Sequence, residues 1–265
     1  MNSMHLTSGA DELTAVVSRV TETEWHALDG DQVVGRGEAS RRPDGRVFLS
    51  ADAWHCPVFD QLADAMLAEL PKPLYTLVDE TDADLKSHWE RVGFTTRRRE
   101  WECLVPTDPQ ATGLGSVLPP SGVTILPVGE AEEGPLRELD RVIRDEIEAT
   151  VGWAEMPAEV LPRPDGVTVV DPSKYAVAVE DGRYIGLVRV APVPRQPRIG
   201  LIAVRADRRR GGVARALLAQ VLGSLHGSGV QTVSVEVNES NEAAVSLFEG
   251  VGAQRASSNW ELVLR

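Results

Sequence analysis

The residues of this chain best suited to chemistry are a run of arginines followed by paired glycines. Arg208–Arg210 come directly before Gly211-Gly212, and Arg215 lies one helical turn further on. Glycine has no Cβ, so its backbone can approach a ligand closely, and the first amides of a helix have no acceptor within it. A helix N-terminus favours anions, so arginines at that position indicate a bound anion. Together these features predict a phosphate-binding turn.

An apolar strand before the glycines and an amphipathic helix after them would hold this turn. Leu201, Ile202 and Val204 have the apolar, partly β-branched character of a buried strand. Beyond the turn, apolar residues recur at helical spacing and form one apolar face. These residues are Val213, Ala214, Leu217, Leu218, Val221 and Leu222.

The turn lacks the motifs of two common nucleotide-binding sites. No Gly-Lys-Ser or Gly-Lys-Thr follows the glycines, which excludes a P-loop. The Gly-x-Gly-x-x-Gly fingerprint of dinucleotide-binding folds is also absent. A solvated basic turn is the remaining alternative, and the flanking strand and helix favour the phosphate site over it.

The segment Arg209-Arg-Gly-Gly-Val-Ala214 resembles the Arg/Gln-x-x-Gly-x-Gly/Ala pattern of the GNAT acetyltransferase superfamily. The resemblance implies that the phosphate belongs to acetyl-CoA, whose diphosphate the amides from Arg210 to Arg215 bind. It also implies that the pantetheine arm lies along the strand before the turn. The cofactor-binding residues implied are Ile202, Ala203, Val204, Arg209, Arg210, Gly211, Gly212, Val213, Ala214, Arg215, Asn241 and Phe248.

Acetylation of an amine requires a neutral nitrogen, so a base is expected near the thioester. The family often has a glutamate on the strand before the turn, but residues 199–204 contain none. Glu236 is the best substitute, because strand alternation directs it away from Val235 and Val237. Glu146, Glu148 and Glu155 are the alternatives. For each carboxylate, a solvated or ion-paired side chain is the competing interpretation.

Two positions on the predicted helix at residues 241–251 need separate interpretations. Asn241 stands where the family often has an asparagine that contacts CoA, and it is equally suited to cap the helix. The family commonly has a tyrosine at the position of Phe248, proposed as the general acid for the departing thiolate. Phenylalanine cannot donate a proton, so this acid would be water or another group, or none would be needed.

Composition places the chain among ordinary globular proteins. It has 265 residues, 42% of them hydrophobic, and a formal net charge of −13. This length suffices for two modest cores. An acidic chain lacks the broad basic surface that nucleic acid requires, and no apolar run approaches the roughly 20 residues of a membrane-spanning helix. We therefore expect neither nucleic acid nor a membrane as a partner.

Cysteine use and the first residues bear on the cellular compartment. Cys56 and Cys103 are the only cysteines, which argues against a disulfide framework and fits a reducing environment. Residues 1–9 have neither the basic nor the apolar region of an export signal. We therefore expect a cytoplasmic protein. The isolated cysteines and the lack of a His-x-x-x-His pair predict no metal site.

Local turn signals predict one hairpin and one linker. Asp181-Gly182 separates two strand-like segments and is the strongest short hairpin signal in the chain. Residues 106–122 are rich in proline, glycine, serine and threonine, which is typical of a linker.

The two halves of the sequence resemble each other. Residues 78–94 align without gaps with residues 237–253. The same offset of 159 residues relates Trp101-Glu102 to Trp260-Glu261. A repeat of this length indicates domain duplication rather than a solenoid.

The copies differ at the phosphate turn. Residues 54–57 of the first half, Trp-His-Cys-Pro, stand opposite Arg209–Gly212, and Pro57 has no amide to donate. Asp79 and Asp82 stand opposite two asparagines, and their charge would repel phosphate. We therefore expect the first copy to keep the fold without cofactor binding.

The resemblance implies an α/β (α+β) fold with two tandem GNAT-like domains. Each would be a mixed, mostly antiparallel twisted sheet flanked by helices. Residues 1–105 are expected to form a degenerate domain, residues 106–122 a linker, and residues 123–265 the catalytic domain.

The implied activity is direct acetyl transfer from acetyl-CoA to a primary amine of a small molecule or peptide, in the C-terminal domain. Mycothiol synthases, a two-domain group of this family, share this architecture, so a small amino-sugar precursor of a thiol is one candidate acceptor. The alternative is a non-catalytic protein that binds or senses acyl-CoA, suggested by Phe248 and the missing strand glutamate. A second copy of the chain is a further candidate partner, as a homodimer.

Overall fold

The computed structural model describes residues 15–150, 152, 168–191 and 196–265. The chain forms two compact units. The first contains Met1–Glu100 together with Ser257–Arg265, and the second contains Trp101–Ala256. The last residues of the chain therefore belong to the same unit as the first hundred.

The first unit begins with four strands, β1 (Val16–Arg19), β2 (Glu24–Asp29), β3 (Gln32–Arg41) and β4 (Val47–Ala53). Helix α1 (Cys56–Glu69), strand β5 (Leu74–Asp79) and helix α2 (Ala83–Arg91) follow. Strand β6 (Thr95–Pro106) starts in this unit and ends in the second.

The second unit continues with strand β7 (Val123–Leu126), helix α3 (Glu133–Glu148) and the hairpin of β8 (Tyr175–Glu180) and β9 (Arg183–Ala191). Strand β10 (Arg198–Val204) leads to helix α4 (Val213–Gly227), strand β11 (Thr232–Asn238), helix α5 (Glu242–Glu249) and strand β12 (Gln254–Leu264). None of the helices in the described ranges is long and apolar enough to cross a membrane.

Each unit has a mixed, mostly antiparallel sheet. In the first unit, β1 to β4 pair antiparallel in order, β4 pairs parallel with β5, and the end of β12 pairs antiparallel with β5. In the second unit, β7 to β10 pair antiparallel in order and β10 pairs parallel with β11. The expected mixed, mostly antiparallel sheet flanked by helices is confirmed.

The apolar faces of the helices and sheets form separate cores in the two units. In the first unit, α1 and α2 pack on the sheet around Trp25, Phe59 and Trp89, none of which is more than 1% exposed. In the second unit, α4 and α5 cover one face of the sheet and α3 covers the other. The apolar face predicted for α4 is buried, including Leu217 and Leu218.

The register of the internal repeat continues through the secondary structure. Helix α2 begins at Ala83 and α5 at Glu242, and strand β6 begins at Thr95 and β12 at Gln254, so each pair is 159 residues apart. The same order of strands and helices, β-β-β-α-β-α-β, thus runs from β2 to β6 and again from β8 to β12.

The segment predicted as a linker is packed into the second unit. Leu114 is 3% exposed and belongs to the core beneath α4 and α5. Thr107 donates its amide to the carbonyl of Gln231 at 3.0 Å, and its hydroxyl to the carbonyl of Val230. The compact units are thus divided at residues 100 and 256, whereas the sequence analysis placed domain boundaries at 105 and 123.

Candidate active site

Strands β10 and β11 part from each other beside the arginine-rich turn. In the described chain they pair at just two positions, Arg198 with Ser234 and Ile199 with Val235. The β9–β10 register shifts between Ile199 and Leu201, so Gly200 forms a bulge. A bulge bends its strand, and here the strands diverge directly after it. The result is a gap between two strands of one sheet.

The alternation of β10 determines which backbone groups face this gap. The amide of Arg205 donates to the carbonyl of Ile185 in β9 at 2.9 Å. In an antiparallel pair, every second residue directs both backbone groups to the same neighbour, so Ala203 also faces β9. Ile202 and Val204 therefore direct their amides and carbonyls towards the gap, as predicted for the pantetheine arm.

The turn after β10 presents a row of amides to solvent. Among the described residues, no acceptor lies within hydrogen-bonding distance of the amides of residues 210–215. Gly212 is the N-cap of α4, at φ +85°, and Arg210 is at φ +64°. Both values lie in the left-handed region that favours glycine, so the turn holds Arg210 in a strained conformation.

The arginines around the turn differ in how far they are neutralised. Arg208 pairs with Glu180 at 2.6 Å, which raises the pKa of its guanidinium. Arg209 pairs with Glu146 at 3.2 Å and donates from Nε to the carbonyl of Val204 at 3.1 Å. The side-chain carboxylates in the described chain leave Arg210 and Arg215 unpaired. These two are therefore the arginines available to an anion.

Glu146, one of the alternatives for a base, is committed to the turn. Its Oε2 accepts a hydrogen bond from the amide of Ala206 at 2.8 Å as well as pairing with Arg209. The carboxylate therefore orients the turn from helix α3. Glu148 is exposed at the end of α3, and Glu155 lies outside the described residues.

Glu236 lies where β10 and β11 separate. Its side chain is exposed, whereas Val235 and Val237 are buried in the core beneath α4 and α5, as the alternation predicts. Glu236 accepts a hydrogen bond from Arg198 at 2.9 Å. An arginine partner favours the ionised form of a carboxylate, which is the form that can accept a proton.

Asn241 has a clear structural role. Its Oδ1 accepts a hydrogen bond from the amide of Ala244 at 3.1 Å, so it caps α5. Asp82 caps α2 in the same way, through the amide of Leu85 at 3.0 Å. Phe248 on α5 is 5% exposed and packs in the core of the second unit. The cofactor contacts predicted for Asn241 and Phe248 stay predictions.

An Asn241→Asp substitution separates the capping role from a cofactor contact. Aspartate caps a helix as well as asparagine, so the free energy of unfolding should not change. The amide donor is lost and a negative charge is added beside the predicted diphosphate, so we expect KM for acetyl-CoA to rise about three- to tenfold. Steady-state kinetics and denaturant unfolding measure the two effects.

The control for this substitution is Asp82→Asn in the first unit, which also exchanges one capping residue for the other. It should change neither KM nor stability. An unchanged KM in the Asn241→Asp variant would show that the residue is a cap and no more.

Comparison with known proteins bears directly on this site. Residues 140–253 match the model of the acetyltransferase (GNAT) family. The match spans the parted strands, the arginine turn and both helices that follow it. The chain belongs to the GNAT acetyltransferase family. The resemblance on residues 209–214 is thereby confirmed.

Relatives of this GNAT protein are named as acetyltransferases. The mycothiol acetyltransferase of Kytococcus sedentarius is 27% identical over 238 residues, which cover 87% of this chain and 78% of the relative. The mycothiol acetyltransferase of Streptomyces coelicolor is 32% identical over 84 residues, 31% of this chain and 27% of the relative. The [ribosomal protein bS18]-alanine N-acetyltransferase of Escherichia coli K12 is 43% identical over 56 residues, 21% of this chain and 38% of the relative.

Solved structures share the fold of the GNAT chain over most of its length. A GCN5-related N-acetyltransferase from Sphaerobacter thermophilus has a TM-score of 0.61 and 17% identity, covering 93% of this chain and 82% of the other. A tandem GNAT protein from the clavulanic acid biosynthesis pathway also has a TM-score of 0.61, with 14% identity, covering 91% and 82%. At these identities the likeness concerns the fold alone.

The structure shows contacts that the sequence analysis missed. The turn is held by Glu146 and Glu180, which no local pattern relates to the arginines. Gly200 was a readable signal, because an isolated glycine within a strand pattern often marks a bulge.

Proposed function

We propose that this chain is an acetyl-CoA-dependent N-acetyltransferase whose second unit is active. The supporting observation is the row of unpaired amides at residues 210–215 directly after the gap between β10 and β11. Amides at a helix start bind phosphate, and a strand with free backbone groups can hold the amide-containing pantetheine arm. The match of residues 140–253 to the GNAT family agrees with this use.

The reaction proposed is a direct transfer. The neutral nitrogen of a primary amine attacks the thioester carbonyl carbon, the carbon–sulfur bond breaks, and CoA leaves as a thiolate that takes up a proton. The gap-facing amides of Ile202 or Val204 would polarise the carbonyl oxygen. Arg210 and Arg215 would offset the charge of the diphosphate, and Glu236 would accept the proton from the amine.

The acceptor proposed is a small-molecule amine. The relative that spans most of the chain is named for mycothiol, whereas the ribosomal-protein acetyltransferase matches over 56 residues only. A match over most of both chains includes acceptor-binding parts, and a short match does not. An amino-sugar precursor of a thiol is therefore the first acceptor to test, with peptide N-termini as the second.

The first unit is proposed to have lost the cofactor. Its strands β4 and β5 also pair at two described positions and then part, so the gap is kept. Helix α1, however, starts at Cys56 with Pro57 in its first turn, where an amide is missing. Hydrogen bonds from the hydroxyl and amide of Thr81 lower the pKa of Asp79. The carboxylate is thus charged at neutral pH and unfavourable to phosphate.

Calorimetric titration with acetyl-CoA and an assay of thiol release test this proposal. We expect one binding site per chain and release of CoA thiol with at least one amine of a panel of amino sugars, polyamines and peptides. Two comparable sites would contradict the assignment of the first unit. Tight binding of CoA without thiol release would favour the alternative, an acyl-CoA sensor.

The remaining parts of the proposal concern cell location and assembly. We place the enzyme in the cytoplasm, since both described cysteines are free thiols. A second copy of the chain as a partner is kept as a proposal, and sedentation of the purified protein by analytical ultracentrifugation would measure it.

A Glu236→Gln substitution tests the base. We expect turnover to fall about 100-fold, in line with the usual contribution of general base catalysis, and the limb of the pH–rate profile that reports the base to disappear. KM for acetyl-CoA should change little, because the residue acts on the amine. Glu138→Gln, at an exposed position of α3, is the matched control and should leave turnover intact. Full turnover in the Glu236→Gln variant would remove this residue from the mechanism.

A further inference from the structure

The second unit contains a cavity of about 200 Å³ on the face of β11 that α5 covers. Its walls are mainly apolar and include Val237, Val245 and Phe248. For comparison, an apolar cavity of about 150 Å³ is large enough to bind benzene. The cavity can therefore hold a single aromatic ring with a small substituent.

One wall of the cavity carries a hydrogen-bond donor that lacks an acceptor. The indole Nε1 of Trp101 is buried, and no described residue accepts its hydrogen bond. Buried donors of this kind are uncommon and call for an explanation. Cys103 lies beside it, and burial raises the pKa of its thiol, so the thiol is protonated and is also a weak donor. The polar groups of this wall thus lack an acceptor.

The mouth of the cavity carries two opposite charges. Arg255 is exposed, and its guanidinium lies 4.8 Å from the centre of the Trp101 ring. Glu249 is exposed on α5 at the same opening. Because the two charges offset each other, the opening favours neither an anion nor a cation. An uncharged molecule matches this opening and the apolar walls.

We propose that this cavity binds a small uncharged aromatic molecule with one carbonyl oxygen, which accepts the hydrogen bond of the Trp101 indole. The ring packs against Val237, Val245 and Phe248. The site is independent of the phosphate turn, because none of its walls includes residues of the turn.

Acetophenone and α-methylstyrene form a matched pair of probes. They have nearly the same shape, but the first has a carbonyl oxygen where the second has a methylene group. We expect acetophenone to bind about tenfold more tightly, the size of effect typical of one buried hydrogen bond. The indole N–H resonance of Trp101, assigned by its loss in a Trp101→Phe variant, should shift on addition of acetophenone.

The Trp101→Phe variant keeps an aromatic ring and removes the donor. It should bind both probes with equal affinity, close to that of α-methylstyrene for the unaltered protein. A tenfold preference for acetophenone that survives in this variant would overturn the proposal. Absence of binding by both probes at millimolar concentration in the unaltered protein would also overturn it. All measurements are made without acetyl-CoA, so they do not depend on the proposed enzyme activity.

A Val245→Phe variant is a second check, because the larger ring fills the cavity. It should bind neither probe while its NMR spectrum stays that of a folded protein. If this variant is folded and still binds acetophenone with full affinity, the probe occupies another place and the proposal is wrong.

Discussion

A Gly212→Ala substitution is expected to raise KM and Kd for acetyl-CoA at least tenfold. Gly212 lies at φ +85°, where a residue with a Cβ pays roughly 1–2 kcal/mol. The substituted turn relieves this strain by rotating, which moves the amides of Val213 and Ala214 away from the diphosphate. A tenfold loss of affinity corresponds to about 1.4 kcal/mol, so the strain alone is sufficient.

Gly223→Ala in the same helix is the matched control. Gly223 is inside α4, and no atom lies within 4 Å of the position its Cβ would take. Alanine is the better helix former by about 1 kcal/mol, so stability should stay the same or increase. Isothermal titration and steady-state kinetics compare the two variants. Equal acetyl-CoA affinity in both would mean that the turn does not bind the diphosphate.

A Glu261→Ala substitution is expected to destabilise the first unit by about 3–5 kcal/mol, the usual cost of removing one partner of a buried ion pair. Glu261 is fully buried, at 0% exposure. It accepts hydrogen bonds from Nε and Nη2 of Arg98 at 3.0 and 2.9 Å, and it also pairs with Arg97. Without the carboxylate, these arginines would keep their charge in a buried position.

The experiment is denaturant unfolding combined with hydrogen exchange of β5, since β12 pairs with β5 around this residue. Protection of the β5 amides should fall together with the free energy of unfolding. Asp145→Ala removes an exposed partner of Arg141 on α3 and is the control, expected to cost less than 1 kcal/mol. A similarly small loss in the Glu261→Ala variant would contradict the structural role of the buried cluster.

Local sequence was sufficient where one short segment determines its own conformation. Asp181 and Gly182 adopt φ values of 49° and 74°, as their hairpin signal requires. The strand–turn–helix unit around Gly212 was predicted for the same reason, because glycine at the helix start and apolar residues at helical spacing act over a few residues. The family resemblance rests on this unit, and it was confirmed.

The state of each charged side chain could not be predicted locally. The sequence analysis grouped Arg208 and Arg209 with Arg210 as one basic cluster. In the structure the first two pair with Glu180 and Glu146, which are 28 and 63 residues away in the chain. Such partners are set by the packing of separate elements, and residue type alone does not reveal them. The availability of Arg210 to an anion is therefore a property of the folded turn.

The sequence by itself determined the order of strands and helices, the repeat with its offset of 159 residues and the position of the phosphate turn. Tertiary structure decided which unit each strand completes. The last strand has the alternation of any strand in a sheet, and this pattern does not specify a neighbour. In the folded chain its end pairs with β5, so residues 257–265 complete the unit formed by the first hundred residues. Strand pairing over such distances depends on the whole fold, because any exposed strand edge offers the same backbone hydrogen bonds.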